Sequence, residues 1–325
     1  MSPRLAANLL LALVLAGVLA GCAALVDNRA ERREARAEDR WPPVGALLTL
    51  DDGTQVHALV EGDGPDVVLL HGASGNLRDF TMALTPLLAE DFRVIALDRP
   101  GFGHTDDIGP NDSSPMVQAD VMIAAARALD VRDPVVLGHS YGGAVAMGWA
   151  LRAPDDLAAL TIVSGATHPW PGGLGVWYDI TTGRLGTHLL TPLAAAFAPH
   201  GPPDSFVNSI FRPQSAPDGY LEHIGAGLTL RRETLRANAR QIRALNDQLA
   251  HMAPHYGRLS VPLEIVHGTQ DRIVPPDIHA VQLAAEVADA SLTLLDGMGH
   301  MPHHGNPEAI AEAVRRAATR AGLMD

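Results

Sequence analysis

The chain has 325 residues, and its 37 acidic and 24 basic side chains give a net charge of −13. Every basic residue is an arginine, which excludes mechanisms that form a Schiff base on lysine and phosphate-binding loops of the Walker type. The acidic balance and the aromatic content of 4% argue against a nucleic-acid partner, whose groove needs basic and aromatic side chains. The hydrophobic content of 47% is typical of a globular protein.

The N-terminal segment has the composition of a targeting signal. After Arg4 the stretch 5–26 carries no charge, and it contains Leu19-Ala20-Gly21-Cys22 with the only cysteine of the chain. A basic residue, a short apolar segment and small residues before a cleavage site are typical of secretory signals. The residues at 19–22 resemble the lipobox of bacterial lipoproteins. This resemblance implies a signal peptide over 1–21, cleavage before Cys22, and acylation of Cys22 that holds the chain on a lipid membrane.

The same segment allows a second interpretation. The 22 uncharged residues 5–26 are long enough to span a bilayer as an uncleaved helix, and the arginines of 29–40 would then favour a cytoplasmic domain. A lipoprotein would instead lie in the cell envelope outside the cytoplasm, and Ala23 after the cysteine favours the outer membrane, facing the periplasm. Because 29–40 mixes both charges without an evident apolar face, we predict that 22–46 is a lipidated cysteine followed by a solvated tether.

From residue 47 onward, strand-like and helical segments alternate, as in a parallel sheet covered on both faces. The predicted strands cover 47–50, 55–60, 67–70, 93–97, 135–137, 160–163, 263–266 and 292–295. The predicted helices cover 79–89, 115–130, 144–153, 277–288 and 307–321. The alternation stops over 168–258, which is rich in proline and aromatic residues and has one clear helix at 231–250. We predict core segments at 47–167 and 259–325, with a helical cap inserted at 168–258.

The motif Gly138-His139-Ser140-Tyr141-Gly142 has the spacing G-x-S-x-G and lies between a predicted strand and a predicted helix. This is the context of a nucleophile elbow, whose sharp turn lifts a serine hydroxyl above the sheet. The hydroxyl needs a base, and the base needs an orienting carboxylate. Asp271 and His300 each follow a predicted strand. We therefore predict a catalytic triad of Ser140, His300 and Asp271.

Together these motifs resemble the α/β-hydrolase fold family, in its cap-bearing branch. The resemblance covers about 47–322 and includes His71-Gly72, the run Asp98–Gly103, the elbow, the Gly268–Arg272 loop and Gly299-His300. It implies an α/β fold with an eight-stranded, mostly parallel sheet, helices on both faces and a cap inserted after the sixth strand. It also implies an oxyanion hole formed by the backbone N–H groups of Ala73 and Tyr141.

The resemblance also bears on the acid and on the residues around the site. Some members of the family place the acid after the sixth strand, where Ser164-Gly165-Ala166 offers no carboxylate, and this favours Asp271. His71, Asp98 and Arg99 are predicted to hold loops, and His139 to pack beneath the nucleophile. The spacing of His300, His303 and His304 resembles a metal cluster, but no matching Cys or His motif accompanies it. We predict no metal and no cofactor.

The function implied by the resemblance is that of a cofactor-free serine hydrolase that cleaves a small-molecule carboxylic ester through an acyl-enzyme. Relatives that dehalogenate alkanes or open epoxides carry aspartate at the nucleophile, so Ser140 disfavours those activities. Perhydrolysis and the hydrolysis of carbon–carbon bonds use the same triad and stay open as alternatives. A non-catalytic, ligand-binding member of the fold is a third alternative. The sequence leaves the oligomeric state open.

Overall fold

The centre of the molecule is one eight-stranded sheet. The structure is a computed structural model that describes residues 2–172, 183, 186–199 and 204–325. The strands are β1 (Ala46–Thr49), β2 (Gln55–Glu61), β3 (Asp66–Leu70), β4 (Arg93–Leu97), β5 (Val135–His139), β6 (Ala159–Val163), β7 (Leu263–Gly268) and β8 (Ala290–Leu295). Their order is β1-β2-β4-β3-β5-β6-β7-β8. β2 pairs antiparallel with β1 and β4, and all other pairs are parallel.

Helices cover both faces of this sheet. They include α2 (Arg78–Thr81), α3 (Leu84–Leu88), α4 (Pro115–Ala128), α5 (Tyr141–Arg152), α11 (Ala280–Glu286), α12 (Pro302–Gly305) and α13 (Pro307–Arg320). One apolar core lies between the sheet and α4, α5 and α11, and the other lies between the sheet and α3 and α13. The central strands are buried along their whole length, which explains why their sequences are continuous apolar runs. The predicted α/β-hydrolase fold, with its mostly parallel sheet, is confirmed.

The predicted helix 79–89 is two short helices in the structure. α2 ends at Thr81 and α3 begins at Leu84. Pro86 explains the break, because a proline ring collides with the carbonyl group four residues earlier and offers no N–H to it. The other predicted core elements lie within a few residues of the observed ones.

The segment between β6 and β7 carries further helices, and we name residues 168–258 the cap. Its described helices are α6 (Thr191–Phe197), α7 (Asp204–Phe211), α8 (Tyr220–His223), α9 (Ala226–Thr229) and α10 (Arg232–Met252). A single π-helical turn, Gly186–Leu190, precedes α6. Parts of the predicted insertion, namely 173–182, 184, 185 and 200–203, lie outside the described residues.

The N-terminal helix α1 (Pro3–Arg40) is the main departure from the sequence prediction. The prediction of a solvated tether at 29–40 is wrong, because these residues continue the helix and pack on the cap. Ala30 and Ala37 are buried against it, and Trp41 donates its indole N–H to the carbonyl of Glu222 at 2.8 Å. The apolar face consists mainly of alanines, whose small side chains give little hydrophobic signal within a run of charges.

Helix α1 also contains the one segment of the described chain that is long and apolar enough to cross a membrane. Its most apolar 18-residue window has a mean hydropathy of 2.8, and none of that window is buried against the rest of the protein. An N-terminal signal sequence has the same properties. The structure shows an exposed apolar helix, and this observation fits both interpretations of the segment.

Candidate active site

The predicted elbow is a tight turn between β5 and α5. Ser140 has φ of 52° and ψ of −118°, an unfavourable backbone conformation for a residue with a side chain. The turn needs its glycines, because a Cβ atom at Gly142 would collide with the carbonyl oxygen of Leu70 on β3. A Cβ atom at Gly138 would collide in the same way with the carbonyl of Gly142. The turn thus holds Ser140 above the carboxyl end of the sheet.

The structure brings the three predicted triad side chains together in one hydrogen-bonded chain. His300 Nε2 lies 3.0 Å from Ser140 Oγ, and His300 Nδ1 lies 2.8 Å from Asp271 Oδ2. Asp271 follows β7 and His300 follows β8, so the arrangement depends on the parallel pairing of these two neighbouring strands. With the Nδ1–H tautomer, the imidazole accepts the serine proton on one side and donates to the carboxylate on the other.

The carboxylate of Asp271 is held ionised by its surroundings. Burial raises its pKa, but the charge of His300 and hydrogen bonds from His267 and His300 outweigh burial and hold the pKa well below its usual value. Its Oδ1 accepts backbone N–H groups from Ile273 at 2.9 Å and Val274 at 3.0 Å. His267 is a contributor that the sequence analysis missed: its Nε2 lies 3.2 Å from Asp271 Oδ2.

The two backbone N–H groups predicted for the oxyanion hole lie on either side of the serine. Tyr141 is the first residue of α5, so its N–H has no partner within the helix. Ala73 lies in the loop after β3. The backbone N–H groups of Ala73 and Tyr141 both lack an acceptor among the described residues. The next residue, Ser74, has a positive φ of 58° and donates its N–H to Asn238 of the cap at 3.0 Å. The cap therefore fixes the conformation of the Ala73 loop.

A buried guanidinium connects this loop to the rest of the site. Arg99 is fully buried and donates to the carbonyl groups of His71 at 2.8 Å and Gly72 at 2.9 Å. Its other N–H groups reach Gln118 of α4 at 2.7 Å and Gln241 of the cap at 2.8 Å.

The surroundings of Arg99 agree with its predicted structural role. Burial lowers its pKa to about 10. The guanidinium carbon also lies 4.5 Å from the centre of the Tyr141 ring, a cation–π distance. The backbone N–H of Arg99 donates to His71 Nε2 at 3.0 Å, so both residues hold the loop.

A second buried network lies behind His300. Asp79 of α2 accepts hydrogen bonds from Tyr220 of the cap at 2.7 Å, His304 at 3.0 Å and His303 at 3.1 Å. Burial raises the pKa of Asp79, but the two histidines outweigh this and hold it well below its usual value. Burial lowers the pKa of His303 to about 4. The network ties the cap to α12, which immediately follows His300.

His139, inside the elbow, packs beneath the nucleophile as predicted. It is buried, its Nε2 lies 3.0 Å from the carbonyl oxygen of His300, and its ring contacts the ring of His303 at an angle of 55°, with centroids 4.2 Å apart. Asp79, His139 and His303 each bring one possible metal-ligand atom within 4.8 Å of the others. Asp79 and His303 already bond each other. His139 bonds neither of them and contacts this pair through its ring.

One cavity of about 460 Å³ reaches His300 from the cap side. Two arginines line it, Arg212 just after α7 and Arg272 just after the acid. Both are exposed, and neither has an ion-pair partner among the described residues. No spacing in the sequence marks these two arginines, because they are far apart in the chain and only the fold places both beside His300.

Arg99→Lys is expected to slow the reaction of Ser140 by on the order of 10²-fold, since lysine cannot hold both carbonyl groups of the oxyanion loop and small displacements are costly. The rate of labelling by a fluorophosphonate measures this change. Arg236→Lys, on the cap helix α10, is the matched control. The melting temperature checks that the Arg99→Lys protein is folded. An unchanged labelling rate in that protein would show that the hydrogen bonds of Arg99 to the loop have no effect on the reaction.

The comparisons with known proteins identify the family of this chain. A family model described as the alpha/beta hydrolase family matches residues 67–313. The 2-hydroxy-6-oxononadienedioate/2-hydroxy-6-oxononatrienedioate hydrolase of Klebsiella pneumoniae is 26% identical over 282 residues, which cover 85% of this chain and 96% of the relative. The 2-hydroxy-6-oxo-6-phenylhexa-2,4-dienoate hydrolase of Burkholderia cepacia is 25% identical over 249 residues, 76% of this chain and 85% of the relative.

Solved structures support the same fold. An esterase from Exiguobacterium antarcticum superposes with a TM-score of 0.70 at 19% identity, covering 85% of this chain and 100% of the esterase. An enol-lactonase from Burkholderia xenovorans superposes with a TM-score of 0.65 at 19% identity, covering 84% of this chain and 100% of the lactonase. The match over 67–313 spans most of the chain and contains all three residues of the Ser140–His300–Asp271 arrangement. The chain belongs to the alpha/beta hydrolase family, and it is a hydrolase.

Proposed function

We propose that the protein hydrolyses carboxylic esters of small molecules with Ser140 as nucleophile. The observation that carries the proposal is the continuous chain from Ser140 Oγ through His300 to Asp271, with contacts of 3.0 and 2.8 Å. A hydroxyl paired with a neutral imidazole, which is itself oriented by a buried carboxylate, is the arrangement that acyl transfer needs.

The proposed reaction has two halves. Ser140 attacks the ester carbonyl while His300 takes its proton, and the N–H groups of Ala73 and Tyr141 stabilise the oxyanion. His300 then protonates the leaving alcohol, and the acyl group stays on Ser140. In the second half a water molecule attacks the acyl-enzyme with His300 again as base, which releases the acid and restores the serine. Asp271 keeps His300 oriented and stabilises its protonated form.

Ser140→Ala and His300→Ala are each expected to lower ester turnover by on the order of 10⁴-fold or more. The double variant should be little worse than either single variant, because the residues act as a unit. Hydrolysis of p-nitrophenyl acetate measures the effect, with Ser113→Ala, at a partly exposed serine, as control. Additive losses, or high residual turnover in protein free of other esterases, would contradict the assignment.

Hydrolysis of a carbon–carbon bond is the second candidate, and two observations favour it. The relatives from Klebsiella pneumoniae and Burkholderia cepacia are named for hydrolysis of substrates that carry carboxylate groups. In this chain, Arg212 and Arg272 line the cavity beside His300 without an ion-pair partner among the described residues. Guanidinium groups bind carboxylates well, so this cavity suits an acidic substrate of either reaction.

A substrate panel distinguishes the two candidates. Under the ester proposal, turnover is expected on p-nitrophenyl esters, with short-to-medium acyl chains preferred over palmitoyl. Among the p-nitrophenyl esters, those of dicarboxylic acids should have a lower KM than those of monocarboxylic acids. Arg212→Gln and Arg272→Gln should raise KM for the acidic esters and leave kcat for p-nitrophenyl acetate unchanged. Turnover of a 2-hydroxy-6-oxo-dienoate without turnover of any ester would replace the leading proposal by the second.

We also propose that Cys22 is acylated and anchors the protein in the cell envelope outside the cytoplasm. Support comes from the residues Leu19-Ala20-Gly21-Cys22, from the exposure of Cys22, and from the unburied apolar helix before it. Two or more acyl chains give stable membrane attachment, whereas one does not. In this arrangement Ala23 after the cysteine favours the outer membrane, with the enzyme facing the periplasm.

Cys22→Ser is expected to block acylation and cleavage, so that the precursor accumulates with its apolar segment intact. Mass spectrometry of the N-terminus measures this directly in both proteins. The unaltered protein should begin at an acylated Cys22. An unmodified Cys22 in a chain that starts at Met1 would contradict the lipoprotein proposal and favour a transmembrane helix.

A further inference from the structure

The charged half of α1 carries its charges in two rows. Acidic residues lie at positions 27, 31, 34 and 38, and arginines lie at positions 29, 33, 36 and 40. Both rows have the spacing of four, three and four residues that keeps side chains on one side of a helix. Between the rows, Ala30 and Ala37 form the buried seam that packs on the cap.

The acidic row is neutralised by the cap. Arg232 pairs with Glu34 at 2.8 Å and with Asp27 at 3.2 Å, and Arg231 pairs with Glu38 at 2.9 Å. These ion pairs, together with the alanine seam, fix the rotation of α1 on the cap. The arginine row is therefore turned toward the opposite flank of the seam.

The arginine row has few carboxylate partners. Arg29 donates to the carbonyl of Ala196 at 2.7 Å, and Arg33 donates to the carbonyl of Ala198 at 2.5 Å. Arg36 has no ion pair among the described residues, and neither has the adjacent Arg32. Burial and the neighbouring guanidinium groups lower the pKa of Arg33, as expected where positive charges crowd together.

These arginines line a groove of about 810 Å³ between α1 and the cap. Its basic lining residues are Arg29, Arg32, Arg33, Arg36, Arg40 and Arg231, of which Arg40 pairs with Glu222 and Arg231 with Glu38. The one acidic side chain in the lining, Glu34, is already paired with Arg232. In a chain with a net charge of −13, this groove is a local excess of positive charge.

Phe197 of the cap lines this groove, and further exposed apolar side chains lie just before it in the chain. Leu193 and Phe197 of α6 are 45% and 57% exposed, and Leu189 and Leu190 just before α6 are exposed as well. Helix α6 packs against α1 through Ala195 and Ala196. The contact lies where the unburied apolar segment of α1 ends: Cys22 precedes Arg29 by seven residues, about 10 Å along a helix.

We propose that this α1–α6 edge docks on an anionic lipid bilayer. The exposed leucines and Phe197 enter the boundary of the apolar layer, and the arginine groove binds the phosphates of acidic headgroups. The acylated Cys22 of the proposed anchor, the exposed leucine and phenylalanine side chains and the arginines match the acyl layer, its boundary and the headgroup phosphates respectively. The proposal rests on the proposed membrane anchoring, and it adds that the cap itself contacts the lipid.

The test labels a cysteine at position 193 with an environment-sensitive fluorophore. Full-length Leu193→Cys is reconstituted in vesicles of phosphatidylcholine and phosphatidylglycerol, and lipids with a doxyl group on the acyl chain are added as quencher. Leu294→Cys, at an equally exposed leucine of β8, is the matched control (46% against 45%). Labelling of the unsubstituted protein measures how much fluorophore attaches to Cys22. We expect strong quenching at 193 and none at 294.

The outcomes separate the proposals. A protein that fails to float with the vesicles overturns the anchoring and this inference together, and leaves the hydrolase assignment untouched. A protein that floats, but whose label at 193 stays in water, overturns this inference alone. A label at 193 that is shielded from water yet not quenched by doxyl lipid shows that a second copy covers the edge, and this also overturns it.

The arginines have a separate test in the same vesicles. An arginine near an anionic surface strengthens binding about fivefold, so Arg32→Gln with Arg36→Gln should lower the docked fraction markedly when phosphatidylglycerol is present. Arg258→Gln is the control, since Arg258 is exposed, has no ion pair among the described residues, and does not line the groove. An equal loss for both proteins, or the same loss in pure phosphatidylcholine, would overturn the role of the groove.

Discussion

The site depends above all on the buried guanidinium of Arg99. Its donors hold the two carbonyl groups of the loop before Ala73, an amide of α4 and an amide of the cap. A buried charge is tolerated only where its hydrogen-bonding groups are satisfied, so the loop, the helix and the cap must take up positions that supply these acceptors together. The hydrogen bonds of Arg99 therefore align the loop at Ala73 with the turn at Ser140.

Much of the fold and of the candidate site could be predicted from the sequence, because the deciding signals are local. The buried strands are short apolar runs, and the elbow is recognisable because Gly138 and Gly142 are required within a few residues of Ser140. Asp271 and His300 were found in the same way, since each directly follows a strand of a parallel sheet. The carboxyl ends of neighbouring parallel strands lie at the same end of the sheet, so residues that follow these strands lie close together.

The remaining residues could not be predicted, because their partners are distant in the chain. Tyr220 reaches Asp79 across 141 positions, and Arg232 reaches Glu34 across 198. Neither sequence separation follows a pattern from which the contact could be predicted. The N-terminal helix was misjudged for a related reason: its packing seam is made of alanines, and its charges look like those of a solvated segment until the cap arginines are placed beside them.

The docking of α1 on the cap has a mechanical consequence. Helix α1 contacts the cap along much of its charged half, whereas the chain reaches β1 through the short link 41–45. Helix α1 and the cap therefore form one body, and the hydrogen bonds of the cap to the Ala73 loop and to Asp79 join that body to the sheet. Under the proposed anchoring, the tilt of this one helix would set the orientation of the whole molecule, and with it the height of Ser140 above the lipid.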